Sequence, residues 1–264
     1  RVSYPDNKKT ISPAVEYPYG ETPIVLDPQA RPLDHVNLSV NDSTLVLAGS
    51  TGAQLSVLSL TSEENMMTGE VTNAETRIDL PQMTEKVKAL YIDPRQQWLY
   101  VINGRAQADV FSLRDKSLNG RYKLADDATT EITASAQLVG GISLIFGDSN
   151  GGLSQWFMAR DPDGEQRFKH IRSFQMGSSP IVEITAEQRR KGFLALDAAG
   201  EIGVFHSTAH RTLLVEKVAE GPGIMALSPR ANRVIVEEGG KLLPLTLKNP
   251  HPEVSWSALW SKVW

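Results

Sequence analysis

The sequence predicts an all-β fold, and three observations point to a β-propeller, a ring of four-stranded antiparallel blades. Short apolar runs alternate with turn signals along most of the chain, the alternation recurs as a unit, and charged, half-apolar runs separate successive units. The clearest unit begins with Val87-Lys-Ala-Leu-Tyr-Ile92, turns at Asp93-Pro94 and continues with Trp98-Leu-Tyr-Val-Ile102. It turns again at Asn103-Gly104 and ends with Ala108-Asp-Val-Phe-Ser-Leu113. β-branched and aromatic residues fill the runs, while Pro, Asn and Gly fill the gaps, the pattern of a three-stranded meander.

Five such units align. The first runs from Val36 through Thr44-Leu-Val-Leu-Ala48 to Leu60, and the second is the unit just described. The third runs from Thr133 through Ile142-Ser-Leu-Ile-Phe146 to Phe157, and the fourth from Ile181 through Gly192-Phe-Leu-Ala-Leu196 to Phe205. Ile224, Arg233-Val-Ile-Val236 and Leu242-Leu-Pro-Leu-Thr-Leu247 make the fifth. One large apolar residue marks each third strand, Leu58, Phe111, Trp156, Phe205 and Leu245, at steps of 53, 45, 49 and 40 residues. That spacing suits propeller blades of about 40–50 residues and is too long for leucine-rich or ankyrin repeats.

Between units lie the fourth-strand candidates: Glu75-Thr-Arg-Ile-Asp-Leu80, Arg121-Tyr-Lys-Leu124, Arg167 to Phe174 and Arg211 to Val218. Their mixture of charge and apolar residues fits a half-exposed outer strand. A β-sandwich is the structural competitor, but it needs only seven to nine strands, and the recurring grammar supplies roughly fifteen core candidates. The length gives about six blades, or seven, and residues 1–264 read as a single domain. Residues 61–73, with Glu63-Glu64 and Met66-Met67, read as a long loop. Residues 13–32 are rich in Pro, with Ile24-Val-Leu26 as an edge-strand candidate.

Composition bounds the chemistry. The chain has 264 residues, a formal charge of −4, a pI near 5.8 and no cysteine. Disulfides, thiolate metal sites and a cysteine nucleophile are excluded, and the acidic balance argues against nucleic acid. His206 and His210 have the four-residue spacing of a helical metal pair, but here they flank a loop after a strand. Gly147-Asp-Ser-Asn-Gly151 matches the nucleophile-elbow pattern at Ser149, yet a strand rather than a helix follows it. Asp161-Pro-Asp-Gly164 reads as a turn, because a calcium loop needs more alternating carboxylates. Arg189-Arg190-Lys191 reads as a solvated basic hairpin tip, and Glu237-Glu238 as solvated surface. No catalytic, cofactor-binding or metal-binding residue is assigned, no cofactor is expected, and the chain is expected not to be an enzyme.

The tail stands apart: three of the chain's five Trp residues fall between positions 256 and 264. Asn249-Pro-His-Pro-Glu-Val-Ser-Trp-Ser-Ala-Leu-Trp-Ser-Lys-Val-Trp264 resembles the segment preceding the membrane core in the large proteobacterial phosphate ABC transporter permease family. In strand layout the chain also resembles WD40-like propellers, without their Gly-His and Trp-Asp dipeptides. The permease resemblance implies a periplasmic domain excised from a longer inner-membrane protein, with residues 250–264 leading toward the membrane. The implied partners are the phosphate-binding protein and other subunits of the transporter. The implied role is docking of that protein, or shielding and regulating the translocation entrance, in phosphate transport. Turns at 41–43, 93–97 and 228–232 are the expected recognition surface. The alternatives are a free-standing extracytoplasmic propeller that binds a protein or small ligand, and a propeller hydrolase.

Overall fold

The computed structural model describes residues 2–3, 14–15, 33–39, 44–49, 56–80, 86–188, 191–228 and 233–247. Every regular element in them is a strand. Val2–Ser3 (β1) and Ala14–Val15 (β2) pair with each other as a two-stranded sheet. Four-stranded sheets follow: Leu33–Leu38 (β3), Thr44–Gly49 (β4), Ser56–Glu64 (β5) and Val71–Asp79 (β6), then Val87–Ile92 (β7), Trp98–Asn103 (β8), Gln107–Ser112 (β9) and Ser117–Lys123 (β10). Next come Ile132–Gln137 (β11), Ser143–Asp148 (β12), Gly152–Arg160 (β13) and Gln166–Gln175 (β14), and then Ile181–Ala186 (β15), Gly192–Asp197 (β16), Glu201–His206 (β17) and Arg211–Lys217 (β18). Ile224–Leu227 (β19), Arg233–Glu238 (β20) and Lys241–Thr246 (β21) form a sheet of three.

Each larger sheet keeps its strands in sequence order, and the pairings resolved between them are antiparallel. The middle strands β8, β9, β12, β16 and β17 carry apolar runs buried on both faces, with all six residues of β16 inside, whereas β20 alternates exposed with buried residues. Outer strands are more exposed: every residue of β18 is exposed, while β14 buries only Phe168 and Phe174. First strands are of mixed burial. β3 alternates half-buried with exposed residues rather than being uniformly apolar inside. A register shift also falls at the same place in four first strands, between Leu33 and His35, Val87 and Ala89, Ile132 and Ala134, and Ile181 and Glu183. Such a bulge puts two residues opposite one and sharpens the local twist.

The expected propeller is corrected. The described strands make five discrete larger sheets, not six or seven blades, and none closes into a ring. The physical reason lies at the two ends of the strand order. The last sheet takes no fourth strand among the described residues, and β1 pairs with β2 through Val2↔Val15 and Ser3↔Ala14. Without a strand shared between first and last sheets, edges stay open. The reading of residues 61–73 as a loop is corrected too. β5 and β6 pair continuously from Ser56↔Asp79 to Glu64↔Val71, leaving only a short tip. Ile24-Val-Leu26 and the Trp-rich tail at 250–264 lie outside the described residues.

The chain divides into two compact units, Arg1–Asn103 with Asp109–Asn119, and Gly104–Ala108 with Gly120–Trp264. The first is centred on Val46, Val57, Leu80, Val87, Leu90, Leu99, Val101 and Phe111. In the second, one cluster joins Ile145, Leu153, Phe174, Ile181, Phe193 and Phe205, and another joins Leu194, Leu196, Ile202, Met225, Val234 and Val236. Each cluster draws on two successive sheets, because one small sheet cannot cover its own apolar face. Gly200, between β16 and β17, allows one of these hairpins to close. Its φ is +81°, and a Cβ there would lie 2.3 Å from the Ala219 carbonyl oxygen.

Tyr100 on β8 is buried, and that burial, reinforced by the nearby Asp93 charge, raises its phenol above the ordinary ionisation range. The folded phenol therefore stays protonated while the unfolded one ionises near pH 10, so stability is full below pH 10 and falls above it. Urea unfolding should show the wild type losing about 1.4 kcal/mol per pH unit in this window from Tyr100, a slope that Tyr100→Phe lacks. Equal slopes for the two proteins would remove Tyr100 as the cause.

Candidate functional site

The turns joining first to second strands share one construction. In each, the first turn residue donates its N–H to the carbonyl five residues on: Ser39 to Thr44 (2.8 Å), Asp93 to Trp98 (3.1 Å), Leu138 to Ser143 (2.9 Å), Glu187 to Gly192 (3.0 Å) and Ser228 to Arg233 (2.9 Å). These first residues recur at the steps read from the third strands to within one residue. In three turns the side chain of the first residue also accepts a bond from the N–H of the last. Ser39 Oγ accepts from Thr44 (3.0 Å), Asp93 Oδ1 from Trp98 (2.6 Å) and Ser228 Oγ from Arg233 (3.1 Å). Short oxygen-bearing side chains suit this position because they reach backbone N–H groups within the turn.

Neighbouring turns touch. In the first unit, Thr44 Oγ1 donates to Gln96 Oε1, tying the turn at 39–44 to that at 93–98. Asp93 accepts further bonds from the N–H groups of Arg95 (3.1 Å) and Gln97 (2.6 Å). This fixes the backbone while Pro94, Arg95 and Gln97 remain exposed. In the second unit, Lys191 Nζ donates to the Val139 carbonyl at 3.4 Å, linking the turns at 138–143 and 187–192. Ile142 stands out from the first of these, 62% exposed. Among the described residues, the first unit thus presents Pro94, Arg95 and Gln97 to solvent from a braced turn, and the second presents Ile142.

The second unit also has an open cleft of about 320 Å³, lined by Lys123, Asp126, Trp156, His170, Ser173 and Phe174 among others. Trp156 stacks on Phe168 at 5.3 Å, and His170 tilts against the same indole at 5.3 Å. Trp156 Nε1 donates to Ser154 Oγ (3.0 Å), and His170 Nε2 lies 3.0 Å from the Arg172 carbonyl and 2.9 Å from Ser173 Oγ. An aromatic wall with polar atoms at its edge can hold a small polar molecule.

The side chains singled out for chemistry hold turns, strand ends or surface ion pairs instead. Ser149 Oγ accepts from the Glu131 N–H (3.2 Å), and β13 follows the turn as a strand, so the elbow context is missing. His206 Nδ1 accepts from the Ala209 N–H (3.1 Å), while His210 Nε2 donates to the Ser173 carbonyl (2.8 Å) with its ring edge-on to Phe174. Asp161 is held below the usual carboxylate range first by Lys169 and then by Arg167, an anchor for a hairpin tip. Asp127 is lowered by hydrogen bonds from the Thr129 hydroxyl and N–H. Glu237 and Glu238 accept backbone N–H groups of Gly240 and Glu220, both at 2.7 Å. Arg189, Arg190 and residues 41–43 and 229–232 lie outside the described residues. Among the described residues, no group of three or more His, Cys, Asp or Glu side chains is placed to hold a metal ion.

Two features escaped sequence reasoning. Glu183 Oε2 accepts the Met225 N–H at 2.5 Å, tying β15 to β19. Met66 and Met67 stand at the tip of the β5–β6 hairpin, 98% and 96% exposed. The acidic and apolar letters around the methionines were present, but their presentation depends on strand pairing. No helix of the described residues is long and apolar enough to cross a membrane. Comparison with protein-family models and with curated proteins finds no match to this chain, so the resemblance to the phosphate transporter permease family, like the WD40-like one, is withdrawn.

Proposed function

We propose that this chain is a non-catalytic docking module that binds a partner protein through its rows of turns. One observation carries the reading: five turns between first and second strands close with the same backbone bond, three of them also through the side chain of the first residue, and exposed side chains stand on the Asp93 and Leu138 turns. Pre-organised turns lower the ordering cost of association. The candidate catalytic side chains support the same reading, since each already serves a turn or a strand end. Placement outside the cytoplasmic membrane belongs to the proposal, and a phosphate-binding protein is the partner to test first. The cleft beside Trp156 supports a second reading, in which a small polar ligand binds the second unit.

The test is a calorimetric titration of the chain with purified phosphate-binding protein, with and without phosphate. Saturable binding is expected, weakened at least tenfold by Arg95→Glu combined with Gln97→Glu, because a reversed charge at an interface rim opposes encounter. Both positions are exposed, so the variant should unfold at the wild-type urea midpoint. Binding that ignores both substitutions removes the turn row of the first unit, and a flat titration removes this partner.

A further inference from the structure

We propose that the β5–β6 hairpin is a second docking element, an arm whose tip, Met66-Met67, enters an apolar pocket edged by Lys or Arg on a partner protein. The arm is defined by where pairing stops. Among the described residues, β4 pairs only with the base of β5, from Ser56 to Ser59, whereas β5 and β6 remain paired to Glu64↔Val71. Five further residues on each strand therefore run on as a two-stranded ribbon, a reach of about 17 Å at 3.4 Å per residue.

The tip is braced. Asn65 donates its N–H to the Glu70 carbonyl (2.8 Å), and its own carbonyl accepts from Gly69 (2.7 Å). Asn65 Oδ1 accepts from the N–H groups of Met67 (2.9 Å) and Thr68 (3.3 Å), and Thr68 Oγ1 accepts from Glu70 (3.3 Å). Gly69 takes φ +68° to complete the turn. The backbone under the two methionines is thus fixed while their side chains are 98% and 96% exposed. Methionine is unbranched and polarisable, and it adapts to irregular apolar pockets.

Charge selects the partner. From residue 56 to residue 75 the chain carries Glu63, Glu64, Glu70 and Glu75 and no Lys or Arg. An acidic arm disfavours an anionic bilayer and favours a pocket with a basic rim. The longer β13–β14 hairpin supplies the contrast. Its tip holds Asp161 and Asp163 bound to Arg167, and beside the exposed Pro162 it presents no large apolar residue. Length alone therefore does not bring methionines to a hairpin tip.

The inference rests on the docking reading but uses a different surface. In the test, a photoreactive benzophenone amino acid replaces Met67 in the full chain in intact cells, with the same group at Asp163 as control. The expected result is one protein adduct from position 67 and none from 163, with the cross-linked peptide in an apolar pocket flanked by Lys or Arg. Against that partner, once purified, Met66→Gln with Met67→Gln should weaken binding at least tenfold while leaving the urea midpoint unchanged. No adduct from position 67, equal adducts from both positions, or a lipid adduct overturns the inference. Co-sedimentation with phosphatidylcholine vesicles that is lost in the double variant also overturns it, assigning the tip to a membrane. If the Arg95 and Gln97 substitutions abolish binding while position 67 gives no adduct, the arm fails and the turn row stands.

Discussion

Phe205→Ala should destabilise the second unit by about 3–5 kcal/mol, the range for removing a fully buried aromatic ring. Phe205 is 0% exposed on β17, stacked on Phe193 at 5.0 Å with 17° between ring planes, and edge-on to Phe174 at 5.4 Å. Its ring lies over Gly203, where a Cβ would come within 2.5 Å of it, so the small residue makes the space that the large one fills. The cluster joins side chains of two successive sheets, whose backbone pairing limits collapse into the vacated volume. Phe205→Leu keeps most of the volume and should cost less than half as much. Leu213 on β18, 57% exposed, supplies the control, and Leu213→Ala should stay within about 0.5 kcal/mol of wild type. Urea denaturation of the three variants measures the series. A Phe205→Ala loss below about 1 kcal/mol would mean that Phe174 and Phe193 repack over the hole.

The part of this fold that was legible in sequence is the part set by neighbours in the chain. Asp93-Pro94, Asn103-Gly104 and Asp161-Pro-Asp-Gly164 mark turns because their residue types favour turn geometry locally, and strands lie on both sides of each. The outer strands β6, β10, β14 and β18 were visible as charged runs between apolar ones. Closure was not legible. It depends on whether the two ends of the strand order share a sheet, and no local pattern at Val2 or Leu245 encodes that. Nor were the bulges in the first strands visible, because a one-residue shift is set by the partner strand. Residues 61–73 were misread because Glu, Asn, Met and Gly are poor strand formers, whereas continuous pairing with β6 overrides that propensity. Of the candidate surface, the Asp93 turn could be named from sequence, but not its contact with Thr44, which joins residues 52 apart. The Trp-rich tail shows a related limit: a short segment of unusual composition suggested a family for the whole chain, and no family model supports it.

Asp93→Ala should cost the first unit about 3 kcal/mol and weaken docking through the turn row. Asp93 is 8% exposed and accepts three backbone N–H groups, from Arg95, Gln97 and Trp98, two of them at 2.6 Å. Bonds to a carboxylate are stronger than neutral ones, at about 1.5–3 kcal/mol each, but water can reach part of this turn and replace some of what is lost. The estimate of about 3 kcal/mol for all three bonds allows for that replacement. Asp93→Asn keeps an acceptor in the same place and should cost about 1 kcal/mol, which separates loss of charge from loss of the turn. Gln96 gives the turn its functional weight, since it sits at φ +54° and accepts from Thr44. Released from Asp93, that strained residue can relax and uncouple the two neighbouring turns. The alanine variant should therefore lose more partner affinity than the asparagine variant, even when both are measured where each is fully folded. If the alanine variant is as stable as wild type, Pro94 and the backbone bond from the Asp93 N–H to the Trp98 carbonyl suffice to hold the turn. If it is destabilised but binds the partner normally, bracing by Asp93 serves the fold of the first unit, and recognition lies in other turns.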